Sequence, residues 1–258
     1  MAKQNLIFRI LFLSDFLYFI AQAIEHFIIK NADIVIALMP YLGSVAKRKG
    51  AKKVIIIPNG VDFKLIKKYS IYSKEELRRK LKIPLNKKVL LVASRLVPLK
   101  RVDMAIRALK KIKEERDDIV LYILGDGPER PRLEKLVDKL GLSSNVYFMG
   151  CVSHEDVLKY MLSADLLIHT SVIEGHSKTI IEAMACKCPI IASNTTGIKD
   201  ILRNDIAILF DDEEDLANKI KYALNSQDIL KRLSSKAYIE AERRYDLNEC
   251  EKKNRVVI

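Results

Sequence analysis

Short unbroken apolar runs recur along the chain, and between them apolar residues return at helical spacing. The runs Ile34–Leu38, Val54–Ile57, Val89–Ala93, Val120–Leu124, Val146–Phe148, Leu166–His169, Ile190–Ala192 and Ala207–Phe210 read as strands. From Val89 onward, the segments between them predict helices over Val102–Lys113, Glu129–Leu140, Glu155–Leu162, Thr179–Cys186 and Asp215–Leu224. Two more helices are expected from about Ile229 to Glu249, and a further one near Glu75–Leu81. A strand that is apolar throughout, rather than at every second position, is covered on both faces, as strands of parallel sheets are. Strict alternation of such strands with helices predicts a doubly wound, Rossmann-like α/β fold.

Pro58-Asn59-Gly60 is a turn signal. It marks off a leading segment (1–57) from the expected sheet domain (58–225), which the C-terminal helices (226–258) follow. The stretch Leu6–Ile29 is rich in Leu, Ile and Phe, but Arg9, Asp15, Gln22, Glu25 and His26 interrupt it. No unbroken run reaches the roughly 18 residues that a membrane span requires, and no small-residue cleavage site follows. A buried or interfacial helix is expected there.

Composition sharpens this picture at two points. Residues 47–88 hold fifteen Lys/Arg against three Asp/Glu, which accounts for the whole formal charge of +12. That stretch reads as a solvated surface or as a face for anionic lipid. Nucleic acid is not expected as a partner, because no recognisable RNA- or DNA-binding motif or aromatic interleaving accompanies the charge. The four cysteines have neither disulfide nor zinc spacing, so a reduced, cytoplasmic compartment is expected. Four scattered histidines likewise lack ligand spacing.

In an open parallel sheet, ligands bind beyond the carboxyl ends of the strands, so the loops there are the candidates. Ser94-Arg95-Leu96-Val97-Pro98-Leu99-Lys100 carries two cations across a proline-stiffened turn. They suit a diphosphate, or are ordinary surface cations. Gly125-Asp126-Gly127-Pro128 is a tight turn into a helix and lacks the third glycine of a dinucleotide fingerprint. In Gly150-Cys151-Val152-Ser153-His154, Ser153 reads as a helix cap, while the backbone of the loop could line a base pocket.

The fourth segment carries most information. In Ser171-Val172-Ile173-Glu174-Gly175-His176-Ser177-Lys178-Thr179-Ile180-Ile181-Glu182-Ala183-Met184-Ala185, Glu174 is expected at the end of a strand-like run and Glu182 one turn into the next helix. Backbone N–H groups at a helix mouth suit phosphate, which a carboxylate would repel. Carboxylates accept hydrogen bonds from sugar hydroxyls instead. An anion cradle with an acid on each side fits a diphosphate with a sugar at each end, which is a nucleotide-sugar. Glu182 also stands among Ile180, Ile181, Ala183 and Met184, where an unpaired carboxylate would be costly. No Asp-x-Asp pair, G-x-S-x-G elbow or P-loop occurs, so a metal held on the diphosphate by the first of these is not expected.

Together with Ile57-Pro58-Asn59-Gly60-Val61-Asp62, these segments resemble the retaining, nucleotide-sugar-dependent glycosyltransferases of the GT-B fold, group 1 (family 4-like), over residues 25 to 225. The resemblance implies transfer of a hexosyl group to an acceptor glycan or lipid, with no cofactor and no divalent metal. By the same resemblance, Arg95 and Lys100 hold the diphosphate, Glu174 contacts the donor sugar and Glu182 binds the ribose diol. Gly125, Gly127, Val152, Gly175, His176, Ser177, Lys178 and Thr179 complete the donor site, and Asn59-Gly60 is the interdomain hinge. Residues 1–57 resemble the last part of an N-terminal acceptor domain. A partner chain supplying the rest, or a truncated donor-binding subunit without activity of its own, is therefore an expected alternative. A peripheral position on the inner face of a membrane is a further expectation. The chain departs from the family pattern at His176-Ser177, where an aromatic-Gly pair is usual, and at Lys187 and Thr196, where glycine is usual.

Overall fold

The computed structural model describes residues 18–255, which divide into two compact units at Ile57/Pro58. The first unit contains helix α1 (18–31), β1 (Val35–Ala37), α2 (Pro40–Arg48) and β2 (Val54–Ile56). β1 and β2 pair in parallel, with Val35 opposite Val54 and Ala37 opposite Ile56. Of the expected helix Leu6–Ile29, residues 6–17 lie outside the described part; the remainder is helical and runs on to residue 31. Tyr18, Phe19, Ile24, Phe27 and Ile28 on it are exposed. No helix among the described residues is long and apolar enough to cross a membrane.

The second unit opens with two short helices, α3 (Phe63–Ser70) and α4 (Lys74–Lys80). Strands and helices then alternate: β3 (Lys88–Ala93), a 3₁₀ turn (Pro98–Lys100), α5 (Val102–Lys113), β4 (Ile119–Leu124), α6 (Arg130–Lys139), β5 (Val146–Gly150), α7 (His154–Ser163), β6 (Leu166–His169), α8 (Lys178–Ala185), β7 (Ile190–Ser193), β8 (Ile208–Phe210) and α9 (Glu213–Asn225). The chain returns through α10 (Gln227–Tyr245) and α11 (Leu247–Arg255). The six strands form one parallel sheet in the order β5-β4-β3-β6-β7-β8.

Alternate residues of each central strand serve opposite layers, which is why the runs are apolar throughout. Leu90, Val92, Leu121 and Ile123 pack beneath α5, α6 and α9. Val89, Leu91, Val120 and Tyr122 pack beneath α3, α7, α8 and α10. Ala237, Ala241 and Tyr245 of α10 join the core that α8 occupies. Side-chain caps set the starts of α3 (Asp62), α4 (Ser73, with Glu76 completing a capping box), α7 (Ser153) and α9 (Asp212).

Two local features matter below. Asp165, just before β6, accepts hydrogen bonds from Lys74 Nζ (2.6 Å), Arg78 Nη2 (2.7 Å) and the Val89 N–H (2.6 Å). Burial alone would raise its carboxyl, but these partners outweigh it and hold it below the usual range. Beside it, α8 finishes in a Schellman turn: Lys187 N–H donates to Met184 O and Cys188 N–H to Ala183 O. Lys187 stands at φ +52°, in the left-handed region. There a β-carbon costs about 1 kcal/mol relative to glycine.

Candidate functional site

β3 lies between β4 and β6, so the order of connection reverses between β3 and β6. Outside the carboxyl ends of these strands is the crevice where open α/β sheets bind ligands. The loops there are stitched by backbone hydrogen bonds: Ser94 N–H to Leu124 O, Leu96 N–H to Asp126 O, and Gly125 N–H to Gly150 O. Gly125 has φ +117°, and a Cβ on it would lie 2.0 Å from Ser94 O, so only glycine permits this approach. Gly127 abuts the Leu96 backbone in the same way.

A cleft of about 330 Å³ results, lined by Ser94, Gly125, Val152, His154, Lys178, Thr179 and Glu182 among others. Glu182 is 5% exposed and accepts a hydrogen bond at 2.7 Å from His154 Nε2, with Lys178 Nζ at 3.7 Å. Its burial is therefore compensated, as the sequence required. Ser94 Oγ is buried with no hydrogen-bond partner among the described residues. The start of α8 has no side-chain cap, unlike those of α3, α4, α7 and α9. Its first N–H groups thus remain available at the wall formed by Lys178 and Thr179.

Glu174 sits in the adjoining loop. Its carboxylate pairs with Lys100 Nζ and lies 3.1 Å from His169 Nε2, which also meets Ser177 Oγ at 3.2 Å. Burial pushes this carboxyl up, but hydrogen bonds from His169, Lys100 and Ser171 outweigh it and hold the group down at about 2. A carboxylate depressed in the fold stabilises it fully above the unfolded value near 4.5 and loses that contribution as pH falls through about 2. About 3 kcal/mol of stability is expected to drain over that window. Acid unfolding of Glu174→Gln against the parent protein checks this, and superimposable curves would refute it.

The candidates fall into three groups. Gly125, Val152, Lys178, Thr179 and Glu182 meet at the cleft, while Lys100, Glu174 and Ser177 meet in the ionic cluster around His169. Arg95 and Gly175 are exposed beside these two groups, next in sequence to Ser94 of the cleft and Glu174 of the cluster, and the Arg95 side chain makes no hydrogen bond or ion pair with a described residue. The His176 ring packs edge-on against Tyr245 (5.6 Å), and burial followed by the Arg244 charge lowers its pKa to about 4. The expectation that Glu174 ends a strand is corrected. β6 stops at His169, because Thr170 Oγ1 donates to Lys100 O and Val172 N–H to Leu99 O, tying the segment to the 3₁₀ turn instead.

Residues 73–240 match the family described as glycosyl transferases group 1. The chain belongs to that family. Among the relatives of this group 1 glycosyl transferase is a component of the phosphatidylinositol N-acetylglucosaminyltransferase of Arabidopsis thaliana, 25% identical over 67% of this chain and 37% of that protein. The alpha-monoglucosyldiacylglycerol synthase of Streptococcus pneumoniae is 29% identical over 66% of this chain and 39% of that protein. The chain thus spans less than half the length of these relatives. Sucrose-phosphate synthase from Thermosynechococcus elongatus superimposes with a TM-score of 0.81 at 25% identity, covering 91% of this chain and 60% of that one. The fold is that of the GT-B glycosyltransferases.

His169 and Gly197 were not singled out from the sequence, and Ser94 and His154 were read only as members of candidate loops, with no role of their own. The signal for His169 and Ser94 was positional, since each stands at the carboxyl end of a strand that feeds a candidate loop. Gly197 has φ +87°, and a Cβ there would lie 1.9 Å from Glu174 O. Gly197→Ala is expected to cost about 2 kcal/mol of stability and to displace Glu174 from Lys100. Thermal unfolding and the Glu174 titration by NMR read the two effects, and a variant unchanged in both would refute the role. No group of three or more His, Cys, Asp or Glu side chains placed to hold a metal occurs among the described residues.

Proposed function

We propose that this chain binds a nucleotide-sugar in the cleft and transfers its hexosyl group, with retention of anomeric configuration, to a lipid-linked or glycan acceptor. The observation that carries this reading is the buried Glu182 carboxylate, set in the cleft wall beside the uncapped start of α8. In it, Glu182 accepts from both ribose hydroxyls, the free N–H groups of α8 face the diphosphate, and Glu174 accepts from hydroxyls of the donor sugar. The bond from the sugar carbon to the phosphate oxygen breaks as the acceptor oxygen bonds to that carbon, and the acceptor proton passes to the departing diphosphate or to water. Charge develops on the departing diphosphate, where Arg95 and Lys100 meet it. These two cations do this without a divalent metal, so EDTA is expected to leave the rate unchanged.

Two relatives are named for phosphatidylinositol and diacylglycerol chemistry, and residues 47–88 are strongly basic. Both features support a lipid acceptor and a peripheral position on the cytoplasmic face of a membrane. A second reading is favoured by the relative from Arabidopsis thaliana, which is named as one subunit of its transferase. In it, the donor-binding domain works in transfer only together with a partner polypeptide. Calorimetric titration with UDP-, GDP- and ADP-sugars tests the donor site, and absence of binding to all of them would overturn it. A transfer assay with and without the partner polypeptide separates the two readings.

A further inference from the structure

A second cavity, of about 320 Å³, lies at the opposite end of α7 and α8 from the donor cleft. α8 enters the cleft wall at Lys178 and Glu182 and ends at Ala185 and Cys186 in the wall of this cavity; α7 does the same from His154 to Leu162. Eight helical residues rise about 12 Å, so the two sites are separated by the length of one short helix. Phe63, Ile66, Leu162 and Ala185 make the wall apolar, and Phe63 packs edge-on against the Tyr238 ring at 5.7 Å. A neighbouring cavity of about 300 Å³ shares Leu162, Cys186 and Lys187 with it.

The charge around this chamber is one-sided. Lys67 and Lys187 line the first cavity and Lys231 the second, and none of the three forms an ion pair with a described residue. Asp165 lines the second cavity, but its carboxylate is already taken by Lys74 and Arg78. Glu242 accepts a hydrogen bond from the Tyr238 hydroxyl. Lys187 is the least expected of the cations. It occupies the left-handed position of the Schellman turn, where glycine is the less strained choice, and its amine lies over the Tyr238 ring at 4.6 Å. Non-glycine residues held in that region cluster at ligand clamps. Here the strain places an ammonium group where the two cavities join.

We propose that this chamber is a second ligand site, taking a small anion with a short apolar body: the apolar part rests on Phe63, Ile66 and Leu162, and the anionic head meets Lys187 and Lys67. The cavity has the size of sites for small molecules, and its apolar wall with few convergent charges matches that class. The ligand is bound as a monomer, because the wall is a concave pocket rather than a flat face.

Calorimetric titration of the full chain with monomeric hexyl phosphate, inorganic phosphate and 1-hexanol tests this. Hexyl phosphate is expected to bind at least tenfold more tightly than either part alone. Lys187→Gly keeps the backbone of the turn, so it is expected to fold with an undiminished melting temperature and to bind hexyl phosphate at least fivefold more weakly. Tyr238→Ala is expected to weaken binding to a similar degree, and Glu182→Ala to leave it unchanged. Four results would overturn the proposal: unaltered affinity in Lys187→Gly, competition by UDP-glucose, equal binding of inorganic phosphate, or binding confined to phosphatidylglycerol vesicles. Because the readout is binding outside the donor cleft, its failure leaves the glycosyltransferase reading standing.

Discussion

Glu182→Ala is expected to weaken donor binding by about 10²- to 10⁴-fold while leaving the protein folded. A hydrogen bond to a charged group contributes about 1.5–3 kcal/mol, and the proposed ribose contact uses two. The loss is expected in affinity for the free nucleoside diphosphate as well, because the ribose stays with the leaving group. The structural cost is smaller, since the orphaned partner, His154, is half-exposed and can turn to water. Glu182→Gln keeps the shape and one acceptor and is expected to lie between the two. Calorimetry with nucleoside diphosphate and nucleotide-sugar, paired with thermal unfolding, measures both quantities. A folded Glu182→Ala variant that binds within threefold of the parent would sink the donor-site assignment.

Lys100→Met is the second large effect. It removes a cation and retains the aliphatic stem. Loss of one group that stabilises charge on the leaving diphosphate costs about 10²- to 10³-fold in kcat. The same change leaves Glu174 buried with only His169 and Ser171 as partners, so its carboxyl is expected to rise from about 2 toward the ordinary range. Removing one partner of a buried pair costs about 3–5 kcal/mol, and Glu174, with 11% of its side chain exposed, is close to that limit. Glu174→Gln separates the roles: it frees Lys100 for phosphate while relieving the buried charge. If Lys100→Met loses stability but transfers at the parental rate, the lysine is a structural partner of Glu174 and not a diphosphate ligand.

Much of the fold was legible because burial on both faces leaves a strong mark. Val89–Ala93 and Val120–Leu124 are apolar at every position, and the structure shows each neighbouring residue serving a different layer. The helices Pro40–Arg48 and Phe63–Ser70 were not read from periodicity. The first contains Gly43. In the second, Phe63, Ile66 and Tyr69 turn inward at helical spacing, but Lys64, Lys67 and Lys68 fall within a basic stretch that reads first as surface. At the site, Glu182 was legible because a carboxylate in an apolar helix demands a reason. His154, its partner, was not, since twenty-eight residues separate them. The Lys100–Glu174 pair spans seventy-four positions. Such pairings are set by which strands become neighbours, and no local pattern records them.

The parallel pair β1–β2 has a practical consequence. Two strands are too few for an independently stable ladder. Ile36, opposite Ile55, and Ile56, opposite Ala37, lie on the two different faces of this pair and are 46% and 40% exposed. Unpaired amide groups beside bare isoleucines invite strand-to-strand adhesion between molecules. Concentrated stocks of the purified polypeptide are expected to turn cloudy with time, and charged replacements at those two isoleucines are expected to keep them clear.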